Sequence, residues 1–453
     1  MMNTITPGSS FVTEQTMALL TDLYELTMAQ SYLRDERTEI STFDLFVRSL
    51  TPRRGFLVSA GLDAVLTYLE RMRFSDDAIA YLRTLNLFDE AFLKYLGTFT
   101  FTGDVRAIPE GEVVFPPEPL VEVTASRIEA QIVETFLLNQ INFQTMVASK
   151  AARVVLAARG RPVVDFSPRR DHGTDAAMKV ARCSYLAGCA GTSNVLAGMV
   201  YGVPISGTMA HSYVMSFDDE LEAFRAYARH YPENCQLLID TYDTLRGAQN
   251  AAIIAAELRA RGHRLRGVRL DSGDLADLSH KVRWILDGAG FPDVQILASG
   301  DLNEDRIQDL LDTDAPVDMF GVGTEMGVSY DAPALGGVYK LVEDTRGYRM
   351  KRSTGKVTLP GRKQVWRISR GGQITEDVIA LRDEPAPPEA RPLLVEVMRR
   401  GARIWQESLE DARRRCRDGM ASLPAPMREL DIVAYPVALS GRLESLRRQM
   451  SDA

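Results

Sequence analysis

Between about residues 160 and 325, six apolar runs rich in Val, Ile and Leu recur every 25 to 40 residues: RPVVDF, YGVPIS, QLLID, LRGVRL, VQILAS and VDMFGV. Helical patterns fill the intervals, and alternation of this kind predicts a parallel sheet with helical crossovers. Each run stops at a polar or Gly-rich turn, at 167–170, 207–212, 240–244, 271–274, 299–301 and 321–324. Polar groups at the carboxyl ends of strands sit where α/β enzymes bind ligands. Six such ends in succession favour a barrel, which gathers them around one mouth. The expected fold is therefore a TIM-like α/β barrel, complete or incomplete, over residues 126–336.

The flanks read differently. RIEAQIVETFLLNQINFQTMVASKAARVVLAA places Ile128, Ile132, Phe136 and Phe143 on roughly one helical face, predicting one long buried helix that leads into the barrel. Upstream, STFDLFVRSL and FTGDVRAIPEGEVVFPPEPLVEV read as strands, and DAVLTYLERM and SDDAIAYLRTL as helices, giving an α/β domain over 1–125. The segment 337–453 is expected to complete that domain and to end in helices after the Pro-rich stretch EPAPPEAR. Within it, KRSTGKVTLPGRK reads as a solvated basic hairpin.

Composition narrows the partners. Lys plus Arg is 53 against 61 for Asp plus Glu, a net charge of −8, so a nucleic-acid or anionic-membrane surface is not expected. MMNTITPGSSFVTEQTM lacks a charged region followed by an apolar core, and no run of about 18 apolar residues occurs, so a soluble cytoplasmic protein is expected. Cys183, Cys189, Cys235 and Cys416 show neither a CxxC pair nor zinc spacing and read as buried apolar residues.

Chemistry concentrates at the strand ends. His211 follows a predicted strand between the hydroxyls of Thr208 and Ser212; a lone histidine is more often structural than catalytic, yet an imidazole nitrogen is a competent nucleophile. Arg169 and Arg170 would point opposite ways on a regular strand, a restriction a loop relaxes; such a pair is either a surface feature or a fork for phosphate or carboxylate. Arg269 shares a strand face with Asp271, and Asp271 and Asp274 could serve ribose hydroxyls or a hard cation, or could simply form an Asx turn and a helix cap. Gly321, Gly323 and Thr324, with Gly300 of the preceding turn, offer backbone N–H groups to a phosphate. GVGTEMG has GxGxxxG spacing, which is not a dinucleotide fingerprint.

Taken in order, ALLTDLYELTM, DFSPRR, GTSNVLAG, GTMAHSYV, GVRLDSGDL, FGVGT, LGGVYKL and KVTLPGRKQVWR make the whole chain resemble the nicotinate phosphoribosyltransferase family. The resemblance implies an ATP-dependent ligase of NAD biosynthesis that joins nicotinate to phosphoribosyl pyrophosphate, releasing nicotinate mononucleotide and pyrophosphate. It implies ATP and Mg²⁺ as cofactors, the metal arriving through pyrophosphate rather than through direct protein ligands. By the same resemblance His211 accepts a phosphoryl group from ATP, Phe166 stacks on the pyridine ring, and Arg169 or Arg170 binds the phosphoribosyl substrate or the acid group. Tyr24 would cover the ring from a neighbouring subunit, which requires a homodimer with shared active sites. Ser193 stands where the related nicotinamide enzyme has an aspartate; a carboxylate there would repel nicotinate, so Ser193 favours the acid substrate. The chain departs from the family pattern with Ser167 and Pro168 in place of a glycine and a variable residue, and with Asp171 and His172 after the arginine pair. Nicotinamide or quinolinate phosphoribosyltransferase and a non-catalytic nucleotide-binding barrel are the competing readings.

Overall fold

A computed structural model describes residues 12–353 and 356–452. Most of the amino-terminal segment read for targeting, and Thr354 and Gly355 of the basic segment, lie outside the described residues. The chain divides into two compact units, Val147–Pro333 and the pair of segments Met1–Met146 and Ala334–Ala453.

In the unit Val147–Pro333, strands β1 (Val163–Asp165), β2 (Gly191–Thr192), β3 (Gln236–Leu238), β4 (Gly267–Leu270), β5 (Gln295–Ala298) and β6 (Met319–Val322) form one parallel sheet in the order β2-β1-β6-β5-β4-β3. The sheet is a curled half-barrel. The crossovers include α1 (Thr174–Leu186), α2 (Val195–Tyr201), α3 (His211–Met215), α4 (Glu220–His230), α5 (Thr244–Ala260), α6 (Leu275–Gly288) and α7 (Glu304–Asp312). Their inward faces bury Phe224, Ile254, Leu258, Val282 and Leu286 with Leu237, Val268 and Ile296 of the sheet. Each such side chain contributes roughly 1.5–3 kcal/mol by leaving water. The polar turns after the strands are partly helix caps: Asn194, Asp243, Asp274 and Asn303 each accept a backbone N–H from the first turn of α2, α5, α6 and α7.

One predicted strand is absent. In YGVPIS only Ile205 meets the sheet, through a single bridge to Thr192, and the strand at this edge is β2 instead. Pro204 has no N–H for a ladder, which ends the sheet here. Gly191 is required beside it, since a Cβ at that position would stand 2.4 Å from the Pro204 carbonyl oxygen.

The other unit is mainly antiparallel. Its seven-stranded sheet runs Gly347–Tyr348, Gly337–Asp344, Ile40–Val47, Pro119–Ser126, Asp104–Ala107, Val395–Arg399 and Ala402–Arg403. Segments from both ends of the chain therefore share one sheet, with Asp44 opposite Lys340. The expected long helix is two, Arg127–Ile132 and Glu134–Ala157, separated at Val133. In 351–363 the described residues form no strand, though the Thr358 N–H donates to the Lys351 carbonyl at 3.2 Å, and a regular hairpin follows, pairing Lys363–Arg370 with Gln373–Leu381. Its turn is Gly371 and Gly372, both at positive φ (58° and 80°), the conformation a two-residue hairpin demands. Among the described residues, no helix is long and apolar enough to cross a membrane. All four cysteines are buried, and none is in a disulfide.

Candidate active site

β1 ends on Asp165, whose side chain is wholly buried. Its carboxylate accepts the Ser167 N–H at 2.9 Å and the Thr192 hydroxyl at 2.8 Å, which ties the loop after β1 to the end of β2. Burial raises the Asp165 pKa, against the opposing effect of these bonds. The next residue, Phe166, packs on Gly321 so closely that a Cβ there would lie 2.5 Å from the ring. This is why β6 carries a glycine at its end.

Beyond Phe166 the chain makes a tight turn. The Arg170 N–H donates to the Ser167 carbonyl at 2.6 Å, with Pro168 in the second position, where its fixed φ fits and its missing donor is not needed. Because this is a turn, the strand rule does not separate the arginines. Arg169 and Arg170 both line a cavity of about 220 Å³ with Phe166, Arg269, Asp271 and Ser299. Gly300, Asp301, Gly321, Gly323 and Thr324 complete the lining. A Cβ on Gly300, which sits at φ 91°, would fall 2.0 Å from the Asp271 carbonyl oxygen, so glycine is again required.

Arg269 organises the floor. Its guanidinium carbon lies 5.4 Å from the centroid of the Phe166 ring. It donates to Asp271 Oδ1 at 2.6 Å, Ser299 Oγ at 2.7 Å and Thr208 Oγ1 at 3.2 Å. Ser299 in turn donates to Asp271 Oδ1 at 2.6 Å. Burial works to raise the Asp271 pKa, but the Ser299 hydrogen bond and the Arg269 charge outweigh it and hold the carboxyl below its ordinary value. Asp271 is thus a committed carboxylate beside an aromatic ring and two exposed arginines.

His211 is the first residue of α3. Its Nδ1 is 3.2 Å from Thr241 Oγ1, and its Nε2 is 3.7 Å from Asp271 Oδ2. That second separation is beyond a hydrogen bond, so one ring nitrogen is anchored and the other is available. Asp240 supports the same region by accepting the Asp271 N–H at 3.1 Å and the Ser272 hydroxyl at 2.5 Å, while its Oδ1 is buried without a partner.

Not every expected residue joins this group. Asp274 caps α6 and lines an adjoining groove with Arg306 and Asp309, which shares Asp271, Gly300 and Asp301 with the cavity. Ser212 is exposed on α3. Ser193 is half-buried and donates its backbone N–H to the Asp165 carbonyl at 2.9 Å, outside the cavity lining. His172 is exposed. Tyr24 belongs to the other unit, exposed on the helix Leu23–Arg34, with its hydroxyl hydrogen-bonded to Glu134. Beside it the buried Glu25 accepts the Thr135 N–H at 3.0 Å, and burial pushes its pKa up to about 7. Asp165, Ser299, Asp240 and Thr241 join the group without having been given roles from the sequence, although the last three fall in the polar turns 240–244 and 299–301. Their only local signal is position at or just after a strand's last apolar residue.

The chain is similar over most of its length to known proteins. The nicotinate phosphoribosyltransferase (NAPRTase) N-terminal domain matches residues 19–142, and the nicotinate phosphoribosyltransferase (NAPRTase) family matches residues 162–341. Nicotinate phosphoribosyltransferase pncB2 of Mycobacterium tuberculosis is 51% identical over 430 residues, covering 94% of this chain and 92% of its own. The Bacillus subtilis nicotinate phosphoribosyltransferase is 43% identical over 388 residues, covering 83% and 79%. The crystal structure of human nicotinic acid phosphoribosyltransferase superposes with a TM-score of 0.85 at 30% identity, covering 95% of this chain and 99% of that one. With both family segments in order and relatives matched over nearly their full length, the chain belongs to the nicotinate phosphoribosyltransferase family.

Proposed function

We infer that this protein transfers the phosphoribosyl group of phosphoribosyl pyrophosphate to the ring nitrogen of nicotinate, giving nicotinate mononucleotide and pyrophosphate for NAD salvage. The observation that carries this reading is the cavity at the strand ends, where an aromatic ring, three arginines and a committed carboxylate converge. In the reaction the bond from the anomeric carbon to pyrophosphate breaks and a bond to the pyridine nitrogen forms. Positive charge develops on the sugar, and the Asp271 carboxylate is placed to stabilise it. Phe166 offers the pyridine ring a face. Arg169 and Arg170 offer bidentate donors to phosphate or to the substrate carboxylate. The N–H groups at Gly300, Gly321, Gly323 and Thr324 suit the 5′-phosphate.

ATP hydrolysis is coupled through His211, in keeping with an ATP-dependent ligase, and the free Nε2 supports its role as phosphoryl acceptor. Mg²⁺ would enter with pyrophosphate and offset charge on the leaving group rather than rest on a protein ligand set, since the described residues include no group of three or more His, Cys, Asp or Glu that could hold a metal. The working unit in this reading is a homodimer in which Tyr24 completes the partner's nicotinate pocket. The exposed apolar residues Val195, Leu196, Met199 and Val200 of α2 and the neighbouring Ile205 support an association of copies.

The test is pyrophosphate release from phosphoribosyl pyrophosphate with nicotinate, nicotinamide, quinolinate or no acceptor. Release with nicotinate alone is expected; release with another acceptor would reassign the substrate. His211→Ala should lose ATP hydrolysis and γ-phosphate labelling while retaining slow, uncoupled synthesis, and a labelled Ala variant would exclude His211 as acceptor.

A further inference from the structure

Ser167 and Asp171, on either side of the arginine pair, meet each other in the structure. The Ser167 hydroxyl donates to Asp171 Oδ2 at 3.0 Å. Ser167 is fully buried and held twice more, by its N–H on Asp165 Oδ1 at 2.9 Å and by its carbonyl under the Arg170 N–H at 2.6 Å. Asp171 is held at its own carbonyl by the Gly173 N–H at 2.8 Å. Its Oδ1 is buried with no hydrogen-bond partner and abuts Gly327, where a Cβ would come within 2.1 Å of that oxygen and 2.6 Å of the Ser167 Cβ. Gly327 closes the helical turn Thr324–Gly327, whose first residue lines the cavity. Two side chains from the arginine turn therefore fill the space that a glycine in the phosphate turn leaves open.

We propose that Ser167 and Asp171 act as a positioning pair, locking the turn that bears Arg169 and Arg170 against the turn of Gly323 and Thr324, so that the arginines meet the phosphoribosyl substrate already in place. Neither residue of the pair lines the cavity, so both act through the arginines. Displacing a binding group by about 1 Å can cost on the order of a hundredfold in rate, which makes such a lock worth keeping. Burial, aided by the Asp165 charge, raises the Asp171 pKa to about 6, so its charge is disfavoured where it stands and an amide of the same shape can replace it. The hydrogen bond and the shape, not the charge, make the lock.

The proposal rests on the phosphoribosyl reading of the cavity, and its test separates the two. Calorimetry measures phosphoribosyl pyrophosphate binding to the full chain and to Ser167→Ala, Asp171→Ala, Asp171→Asn and the double Ala variant, with KM for nicotinate measured alongside. Both single Ala variants should weaken phosphoribosyl pyrophosphate about tenfold or more, the double should be no worse than the weaker single, and Asp171→Asn should recover most of the loss. KM for nicotinate should stay within about twofold. Unchanged phosphoribosyl pyrophosphate affinity in the Ala variants overturns the pair while leaving the function standing. So does a loss shared equally by both substrates and by thermal stability, which marks a merely structural role. Binding of phosphoribosyl pyrophosphate without turnover of nicotinate in the unaltered protein overturns the proposed function, and the pair is still judged by the affinities. No binding by the unaltered protein overturns both.

Discussion

The antiparallel unit and the half-barrel both hold arginine–carboxylate networks, but they finish them differently. In the former, Arg367 is wholly buried and spends its donors on Asp377, at 2.9 and 2.6 Å, and on Glu112 at 3.2 Å. Lys363 pairs with Asp44 at 2.8 Å, equally out of solvent. Removing charges from water is costly, and pairing with opposite charge offsets it, so these groups turn to one another, although Asp44 Oδ1 is left without a hydrogen-bond partner. At the half-barrel's strand ends, Asp271 remains partly open beside its partner Arg269. Arg169 and Arg170 are exposed, and among the described residues Arg169 makes only a 3.4 Å bond to the Phe166 carbonyl. A network whose cations are paired with buried carboxylates holds a fold together; one whose arginines face a cavity can hold a ligand.

The contrast can be broken by substitution. Asp377→Ala takes from buried Arg367 two of its three carboxylate bonds, leaving only Glu112, and should cost about 3–5 kcal/mol in urea unfolding. A loss under about 1 kcal/mol would show that water reaches Arg367 and that the network is not closed. Asp271→Asn should instead lower turnover about tenfold or more, equivalent to about 1.4 kcal/mol, with little change in the unfolding midpoint. If stability fell with activity, the strand-end cluster would be as structural as the Arg367 network, and the distinction would fail. The exposed helix pair of Lys281 and Asp277, 2.6 Å apart, sets the lower limit. Lys281→Ala should cost about 0.3–0.5 kcal/mol in the same unfolding measurement and leave turnover unchanged; a larger loss would mean that even solvated pairs carry this fold.

What the sequence determined by itself was whatever depends on near neighbours along the chain. Apolar runs separated by helical intervals identified five of the six parallel strands, and the two-residue repeat of a strand put Arg269 and Asp271 on one face. The polar turns marked which sheet edge to inspect, and the ordered motifs marked the family. Tertiary structure decided how each polar group is used. Asp271 and Asp274 look alike in LDSGDL, yet Asp274 is spent on capping α6 while Ser299, 28 residues further along, secures Asp271. Ser193 and Ser212 carry suggestive motif positions, but one meets the Asp165 carbonyl through its backbone and the other faces solvent. YGVPIS has a strand's composition, and the missing N–H of Pro204 at the sheet edge denies it a ladder. Ser167 and Asp171 read as a disturbed motif until Gly327, 156 residues beyond Asp171, supplies the space they fill. Periodicity is a local property of a chain. The partner of a buried hydroxyl or carboxylate is set by folding, because close packing and the cost of leaving a polar atom unbonded act between groups the sequence keeps far apart.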